Sequence, residues 1–317
     1  MTNRRSFIKK AALGTAALSS PSYATHASNL FSPGKSISEL KISLAQWSLN
    51  RAFFKGELDA KRFASIAKNS YGIGAVEYVN AFYKDFAKSE KFWMQMKNEA
   101  NNEGVKNLLI MVDDEGDLGN PNDKKRKMAV ENHYKWIHAA KILGCHSIRV
   151  NAFGEGENDV LHNALVDGLG ELATYGGNEN INVLVENHGL HTSNGAFITG
   201  IIKETDNPYL GTLPDFGNWC LNAKWGSTQN NKCDEVYDRY KGVQEFLPFA
   251  KGVSAKSYAF DANGYETIID YRKMLQIVKD SGFDGYIGIE FEGEHMLEPD
   301  GIKATKSLLE KVWSELE

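Results

Sequence analysis

The sequence predicts a single (β/α)8 barrel, and three observations lead to this prediction. Short β-rich runs alternate eight times with longer amphipathic runs between residues 41 and 317. This span is close to the roughly 250 residues typical of the fold. A doubly wound open sheet, the competing architecture, usually carries a glycine-rich phosphate loop after its first strand. Here the first strand ends in Trp-Ser-Leu-Asn-Arg over residues 47–51, without glycine, and the barrel is therefore favoured.

Between the predicted strands, the sequence contains residues that typically end helices. Glycine stands before three of them, at Gly104, Gly144 and Gly282, where a left-handed residue commonly ends a helix. Apolar residues recur at helical spacing over residues 125–143, and a last helix is predicted over 301–317. The eight predicted strands cover residues 42–49, 75–80, 107–112, 147–152, 182–187, 210–215, 252–257 and 285–292.

The N-terminus resembles a twin-arginine export signal. Arg4 and Arg5 precede Ser-Phe-Ile-Lys, an apolar run over residues 11–18 and small residues near position 27. We therefore expect a signal peptide over residues 1–27, a linker over 28–40, a catalytic barrel over 41–317 and a periplasmic mature protein. No cysteine follows the apolar run, and so no lipid anchor is expected. A basic tail on a cytoplasmic protein is the alternative.

Composition and charge exclude several classes of protein. The chain has 317 residues, of which 42% are hydrophobic and 24% charged, as in an ordinary globular protein. Its formal charge of −5 disfavours a nucleic-acid partner, because such binding requires Lys and Arg against phosphates. No run approaches the 18 or so apolar residues of a membrane-spanning helix, so no membrane anchor is expected. The sequence is compatible with an oligomer but does not determine one.

Three cysteines are present, an odd number for a protein in an oxidising compartment. Cys145 lies in an apolar stretch and is predicted to be a small core residue. Cys220 and Cys233 flank a polar insertion and are able to close a loop disulfide, but the sequence leaves open whether they pair.

Carboxylates stand at the ends of three predicted strands, where active sites of this fold lie. Glu186 follows Val-Leu-Val, Asp215 follows Thr-Leu-Pro and Glu290 follows Ile-Gly-Ile. Three acids that converge on one mouth repel one another unless a divalent cation lies between them. Oxygen ligands suit Mg²⁺ or Mn²⁺, and a nearby imidazole widens the choice to Co²⁺ or Zn²⁺. The alternative is that each acid caps a helix or pairs with a lysine.

These strand ends resemble those of the xylose isomerase-like TIM-barrel superfamily, here in an exported branch. The motifs are Val-Glu186-Asn-His188-Gly, Pro-Asp215-Phe-Gly-Asn218 and Ile-Glu290-Phe-Glu292-Gly. The superfamily includes sugar isomerases, ketose 3-epimerases, sugar lyases and abasic-site endonucleases. The resemblance implies that Glu186, Asp215 and Glu290 bind a divalent Mn, Mg, Co or Zn ion. It also implies that Glu186 and Glu290 are the catalytic pair that exchanges a proton with the carbon next to a carbonyl.

One position departs from the family pattern. Strand seven of the family usually ends in a His two residues before a Lys, and here Ser254 precedes Lys256. A serine hydroxyl is a poor metal ligand, so water, His188 or Glu292 would complete the coordination. This departure leaves the identity of the metal, and the dependence on it, open.

Further residues near the predicted mouth are candidates for substrate binding. His188 and Glu292 share a strand side with Glu186 and Glu290, because side chains alternate with a period of two. Lys256 is a candidate to bind a substrate oxygen, or to act as a base if the nearby cation lowers its pKa. A structural salt bridge is its alternative. Further candidates to bind hydroxyl groups are Glu77, Asp113, Asp114 and Glu115. The full set of predicted substrate-binding residues is His188, Lys256, Asn218, Arg149, Glu292 and Trp47.

The function implied by the resemblance is that of a metal-dependent sugar isomerase or epimerase, which works through an enediolate on a sugar or glycoside. A lyase acting on 3-keto glycosides is the first alternative, because it uses the same proton abstraction and then expels a neighbouring group. A non-catalytic carbohydrate-binding barrel is the second alternative, since the fold does not fix the function.

Overall fold

The computed structural model describes residues 39–229 and 233–316. The predicted signal peptide and residues 28–38 of the predicted linker lie outside these described residues. The strands are β1 (Lys41–Ala45), β2 (Ala75–Val79), β3 (Lys106–Val112), β4 (Ser147–Val150), β5 (Asn182–Glu186), β6 (Leu210–Leu213), β7 (Val253–Ser257) and β8 (Tyr286–Phe291).

The strands form one parallel sheet with the order β6-β5-β4-β3-β2-β1-β8-β7. Parallel bridges between Thr212 and Ala250 and between Asp215 and Ser254 connect its two outermost strands. The amide of Ser254 also donates a hydrogen bond to the carbonyl of Pro214, 2.9 Å away. These contacts close the sheet on itself, and the predicted (β/α)8 barrel is confirmed.

Helices lie between the strands. Asn122 caps the N-terminus of the long fourth helix by accepting a hydrogen bond from the amide of Lys125, and Gly144 ends that helix at φ 85°. Among the described helices, none combines the length and the apolar character needed to cross a bilayer. The helices are α1 (Asn50–Phe54), α2 (Phe63–Tyr71), α3 (Glu90–Asn102), α4 (Asp123–Leu143), α5 (Asn158–Asn178), α6 (Gly195–Thr205), α7 (Arg239–Phe246), α8 (Tyr271–Asp280) and α9 (Glu298–Glu315).

Several strands end earlier than the sequence predicts. The first was predicted to reach Leu49 but ends at Ala45, because Gln46–Leu49 forms a 3₁₀ turn. The side-chain oxygen of Gln46 accepts a hydrogen bond from the amide of Val79, 2.9 Å away, which draws this turn towards β2. The residues past the strand ends are thereby free to form the loops around the barrel mouth.

Inward-facing residues divide the barrel interior into an apolar layer and a polar layer. Side chains alternate along each strand, so every second residue points inward. The apolar layer is a cluster separate from the main core between sheet and helices, and it consists of Ala45, Val79, Leu109, Met111, Leu184 and Leu213. Two residues further along β3, β5 and β6 the inward positions are Asp113, Glu186 and Asp215. The polar layer therefore lies at the C-terminal ends of the strands, resting on an apolar floor.

Glu77 lies inside the barrel and not at its mouth, where the sequence placed it. Its side chain is buried and accepts a 2.6 Å hydrogen bond from the Ser43 hydroxyl through Oε1. Gly288 makes room for it, because a Cβ at position 288 would lie 2.5 Å from the same oxygen. Burial raises the pKa of Glu77 to about 7.

Glu77→Gln is expected to stabilise the protein at high pH and to have little effect at low pH. Between pH 4.5 and 7 the folded state keeps a proton on Glu77 that the unfolded state releases. The unfolding free energy therefore falls as the pH rises through this range, by about 3 kcal/mol in total. Glutamine stays neutral and avoids this loss. Urea denaturation at pH 4.5 and pH 8 measures the effect, and an equal gain at both values would contradict the assignment.

Cys220 and Cys233 form a disulfide, with their Cα atoms 5.7 Å apart. The pairing that the sequence left open is therefore present, and it ties together the ends of the loop that follows β6. Cys145 is buried and unpaired, as predicted.

Candidate active site

Three buried carboxylates meet at the C-terminal ends of the strands. Glu186 is the last residue of β5, Asp215 follows β6 by two residues and Glu290 lies near the end of β8. One oxygen from each lies within 4.8 Å of the others, and no side chain of the three is more than 5% exposed. The sequence-based expectation that these three acids lie together agrees with this geometry.

An asparagine fixes the spacing between two of the acids. Asn187 accepts a 2.7 Å hydrogen bond from the amide of Asp215 and donates one to its carbonyl, 3.0 Å away. The Oδ1 atom of Asp215 in turn accepts hydrogen bonds from the amides of Gly217 and Asn218, at 2.7 and 2.8 Å. The Asp215 side chain is thus held by its own loop, with Oδ2 left to face the other acids.

Arg149 connects Glu186 to Asp113, the residue that follows β3. Its Nη1 donates to Asp113 Oδ1 at 2.6 Å, and its Nε lies 2.7 Å from Glu186 Oε2. The second contact is an ion pair without a hydrogen bond, since both atoms lack a partner of suitable geometry. Although desolvation opposes it, the Arg149 guanidinium holds the pKa of Asp113 below its usual value. Arg149 and Asp113 thus form a buried ion pair beside Glu186.

Lys256 is enclosed by the other carboxylates. Its Nζ lies 3.0 Å from Glu292 Oε2, 3.4 Å from Glu290 Oε1 and 3.9 Å from Asp215 Oδ2. Burial opposes the charge of Lys256, but the three acids outweigh it and raise its pKa well above the usual value. The alternative role of Lys256 as a base, which requires a pKa lowered near a bound cation, stays a prediction. Lys256 is a charged counter-ion within the acid cluster.

Ser254 bridges two of the acids. Its hydroxyl oxygen lies 2.6 Å from Asp215 Oδ2 and 2.7 Å from Glu290 Oε2. A hydroxyl carries one proton and donates to one acceptor at a time, so the two carboxylates compete for it. Burial and, to a smaller extent, the Glu290 carboxylate together raise the pKa of Asp215 to about 7, against the opposing effect of Lys256. Without a further positive charge, the cluster holds a proton near neutral pH.

The residues fit an oxygen-ligated divalent cation. Burial raises the pKa of Glu186 well above its usual value, and the carboxylates of Glu290 and Asp215 add to this effect. Its Oε2 atom is buried without a hydrogen-bond partner, as is Oδ1 of Asn218. A dication would offset the shared negative charge and satisfy such hard oxygen donors, as Mg²⁺ and Mn²⁺ do.

An imidazole lies beside this group but is engaged elsewhere. His188 Nδ1 lies 3.9 Å from Glu186 Oε2 and makes a 2.7 Å hydrogen bond with Asn151 Oδ1. Burial lowers the pKa of His188 well below its usual value, and the positive charge of Arg149 lowers it further. His188 is therefore neutral and is held at the edge of the acid cluster.

A cavity of about 700 Å³ opens above the acids. Four of the predicted substrate-binding residues line it, namely Trp47, Arg149, His188 and Glu292. Lys256 and Asn218 are not among the described lining residues, because both are buried against the carboxylates. Trp47 Nε1 donates a hydrogen bond to Glu292 Oε1, which joins the aromatic side of the cavity to the acid cluster.

The sequence did not indicate several residues of the cavity wall. Phe54 on α1 and Trp225, in the loop closed by the disulfide, both line it. The ring of Trp225 lies 4.9 Å from that of His188, edge to face. The sequence contained one signal for Trp225, which is a Trp inside an insertion flanked by two cysteines. It contained no distinguishing pattern for Phe54.

Solved structures with the same fold include sugar-converting enzymes. A D-psicose 3-epimerase with D-tagatose from Clostridium cellulolyticum H10 aligns with a TM-score of 0.67 and 12% identity, over 86% of this chain and 99% of that chain. A 3-keto-D-glucoside 4-epimerase from E. coli aligns with a TM-score of 0.64 and 14% identity, over 86% of this chain and 100% of that chain. A xylose isomerase-like TIM-barrel protein from Mycobacterium smegmatis, in complex with magnesium, aligns with a TM-score of 0.62 and 14% identity. The alignment covers 89% of this chain and 99% of that chain.

These identities are low, so the structural likeness shows a shared fold. No curated protein matches this chain in sequence. The family model described as "Xylose isomerase-like TIM barrel" matches residues 66–312, which is more than half of the chain and includes all three converging acids. On this match, together with the closed barrel and the acids at its strand ends, the chain belongs to the xylose isomerase-like TIM-barrel family.

Proposed function

We propose that this protein is a divalent-metal-dependent isomerase or epimerase of a sugar or glycoside. The observation that supports this most strongly is the convergence of Glu186, Asp215 and Glu290 within 4.8 Å below a cavity of about 700 Å³. Such a cavity is within the range that binds small organic ligands. The fold neighbours named D-psicose 3-epimerase and 3-keto-D-glucoside 4-epimerase catalyse reactions of the same class.

The proposed reaction moves a proton at the carbon next to a carbonyl. One of the two glutamates, Glu186 or Glu290, accepts this proton, and the other returns one to the enediolate from its own side. When bound by Glu186, Asp215 and Glu290, a dication supplies polarisation of the substrate oxygens.

The neighbouring side chains orient the substrate and hold the charges. Neutral His188 faces the cavity and is suited to a hydrogen bond with a sugar hydroxyl. Glu292 is fixed between Trp47 and Lys256, which orients its carboxylate towards the same space. Lys256 keeps Glu290 and Glu292 paired while a proton moves through the site.

A lyase that acts on 3-keto glycosides is the second candidate. The size of the cavity favours it, because a glycoside fills more of 700 Å³ than a free sugar does. The same proton abstraction would then be followed by loss of the group on the neighbouring carbon. Both candidates require removal of the proton from the carbon next to the carbonyl.

The test is incubation of the mature protein with Mn²⁺ in D₂O, with free ketoses and with 3-keto glycosides. Interconverted, deuterated sugars support the isomerase or epimerase, and a released aglycone supports the lyase. EDTA is expected to abolish either reaction and excess Mn²⁺ to restore it. Binding with neither deuterium incorporation nor release of an aglycone would indicate a non-catalytic carbohydrate-binding barrel and would contradict the proposal.

We also propose that the protein acts in the periplasm after twin-arginine export. The paired Arg4 and Arg5 support this, and the Cys220–Cys233 disulfide is of a kind that persists in oxidising compartments. Replacement of both arginines by lysine is expected to retain the protein in the cytoplasm. Cell fractionation measures this, and unchanged periplasmic protein would contradict the proposal.

A further inference from the structure

We propose that the cavity binds a two-ring substrate: a glycoside whose reacting ring lies at the carboxylates and whose second ring packs against Trp225 and Phe54. This inference rests on the proposed function, because it names the substrate class of the same site. The shared chemistry of the second ring is a flat apolar face, which an aryl group and a sugar ring both provide.

The wall of the cavity has two chemically distinct parts. Its polar part contains Glu290 and the neighbouring polar side chains of Arg149 and His188. Its apolar part contains Phe54 and Trp225, whose side chains are unusually exposed for aromatic residues, at 62% and 41%. Exposed apolar surface in a cavity marks a binding site more often than a structural feature. The polar part binds hydroxyl groups, which leaves the apolar part for a second group.

The backbone holds Trp225 in this exposed position. Its φ of 70° lies in the left-handed region, which a bulky side chain rarely adopts. The preceding Lys224 forms a bridge with Gly189 at the end of β5. Gly189 must lack a side chain, because a Cβ there would lie 2.2 Å from the carbonyl of Ala223. The loop is therefore packed closely on the site, and the unfavourable conformation of Trp225 places its ring on the cavity wall.

Phe54, from a distant part of the chain, is the second aromatic residue of the apolar part. Its ring packs on Phe82 at 4.9 Å and on Trp47 at 6.0 Å between centroids. Trp47 is in turn hydrogen-bonded to Glu292 in the acid cluster. Trp47 thus joins Phe54 to the acid cluster, as a substrate of two linked rings requires. Aromatic rings bind the flat faces of sugars and aryl groups well.

The test is a comparison of binding affinities by calorimetry. The probes are methyl glucoside, both anomers of 4-nitrophenyl glucoside, and cellobiose, each with Mn²⁺-loaded and with EDTA-treated protein. We expect at least one two-ring probe to bind about tenfold more tightly than methyl glucoside. Trp225→Ala is expected to remove this preference and to change the affinity for methyl glucoside by no more than about twofold. Trp225→Phe is expected to recover most of the preference for the two-ring probe. Tyr265→Ala, which removes an aromatic ring of similar exposure (39%) outside this cavity, is the matched control.

The arms of the experiment separate its outcomes. Preference for the nitrophenyl probe indicates an aryl group, and preference for cellobiose indicates a second sugar ring. Equal affinity of the wild type for all probes would overturn the inference. An equal loss of affinity for all probes in Trp225→Ala would also overturn it, as would the absence of any binding. Because affinity is measured without turnover, a preserved two-ring preference with no proton exchange would overturn the proposed function alone.

Discussion

Glu186→Gln and Glu290→Gln are each expected to lower turnover about a thousandfold, because a positioned acid or base contributes roughly 10²–10⁴ to the rate. Glutamine keeps the size of the side chain but cannot accept or return a proton. The measurement is the rate of deuterium incorporation into the substrate in D₂O. Each variant should also hold less Mn²⁺, since each removes one of three converging carboxylates.

Glu131→Gln is the matched control for these variants. Glu131 is an exposed acid on α4, and its replacement should leave both turnover and metal content unchanged. If the site variants retain the rate and the Mn²⁺ content of the wild type, the assignment of this site is wrong.

Lys256→Met is expected to lower the unfolding free energy by about 3–5 kcal/mol in the presence of EDTA, the usual cost of removing one partner of a buried ion pair. The variant leaves Asp215, Glu290 and Glu292 without the ammonium group that now lies 3.0–3.9 Å from them. Methionine fills a similar volume, and so the loss reports charge more than packing. Urea denaturation measures the unfolding free energy.

Metal addition separates this electrostatic effect from a packing defect. A dication bound by the same acids replaces part of the lost charge, so Mn²⁺ should stabilise Lys256→Met more than it stabilises the wild type. Lys127→Met, at an exposed position on α4, is expected to change the unfolding free energy by less than about 0.5 kcal/mol. Equal stabilisation of Lys256→Met and the wild type by Mn²⁺ would indicate that Lys256 and the cation act independently.

The sequence predicted the barrel and the three acids because both follow from local patterns. Short apolar runs define the strands, and amphipathic runs with helical periodicity separate them. The C-terminal ends of the parallel strands all lie at the same end of the barrel. An acid directly after an apolar strand, such as Glu186 or Glu290, therefore has only one place to lie.

The remaining features of the site depend on contacts between distant parts of the chain. The bridging role of Ser254 requires the closure of β7 against the loop after β6, which no local pattern specifies. Trp225 reaches the cavity only because the loop after β6 folds back on Gly189. Glu77 was placed at the mouth because nothing in the sequence of β2 shows how deep in the barrel its side chain lies. Gly288 on β8 makes room for it inside the barrel.

The most direct test is a crystal structure of the protein grown with Mn²⁺, with anomalous diffraction recorded at the manganese edge. One strong anomalous peak is predicted within bonding distance of oxygens from Glu186, Asp215 and Glu290, and Glu290→Gln should weaken it. Saturating Mn²⁺ with no peak among these three side chains, and with Lys256 and Ser254 still holding their carboxylates, would contradict the account.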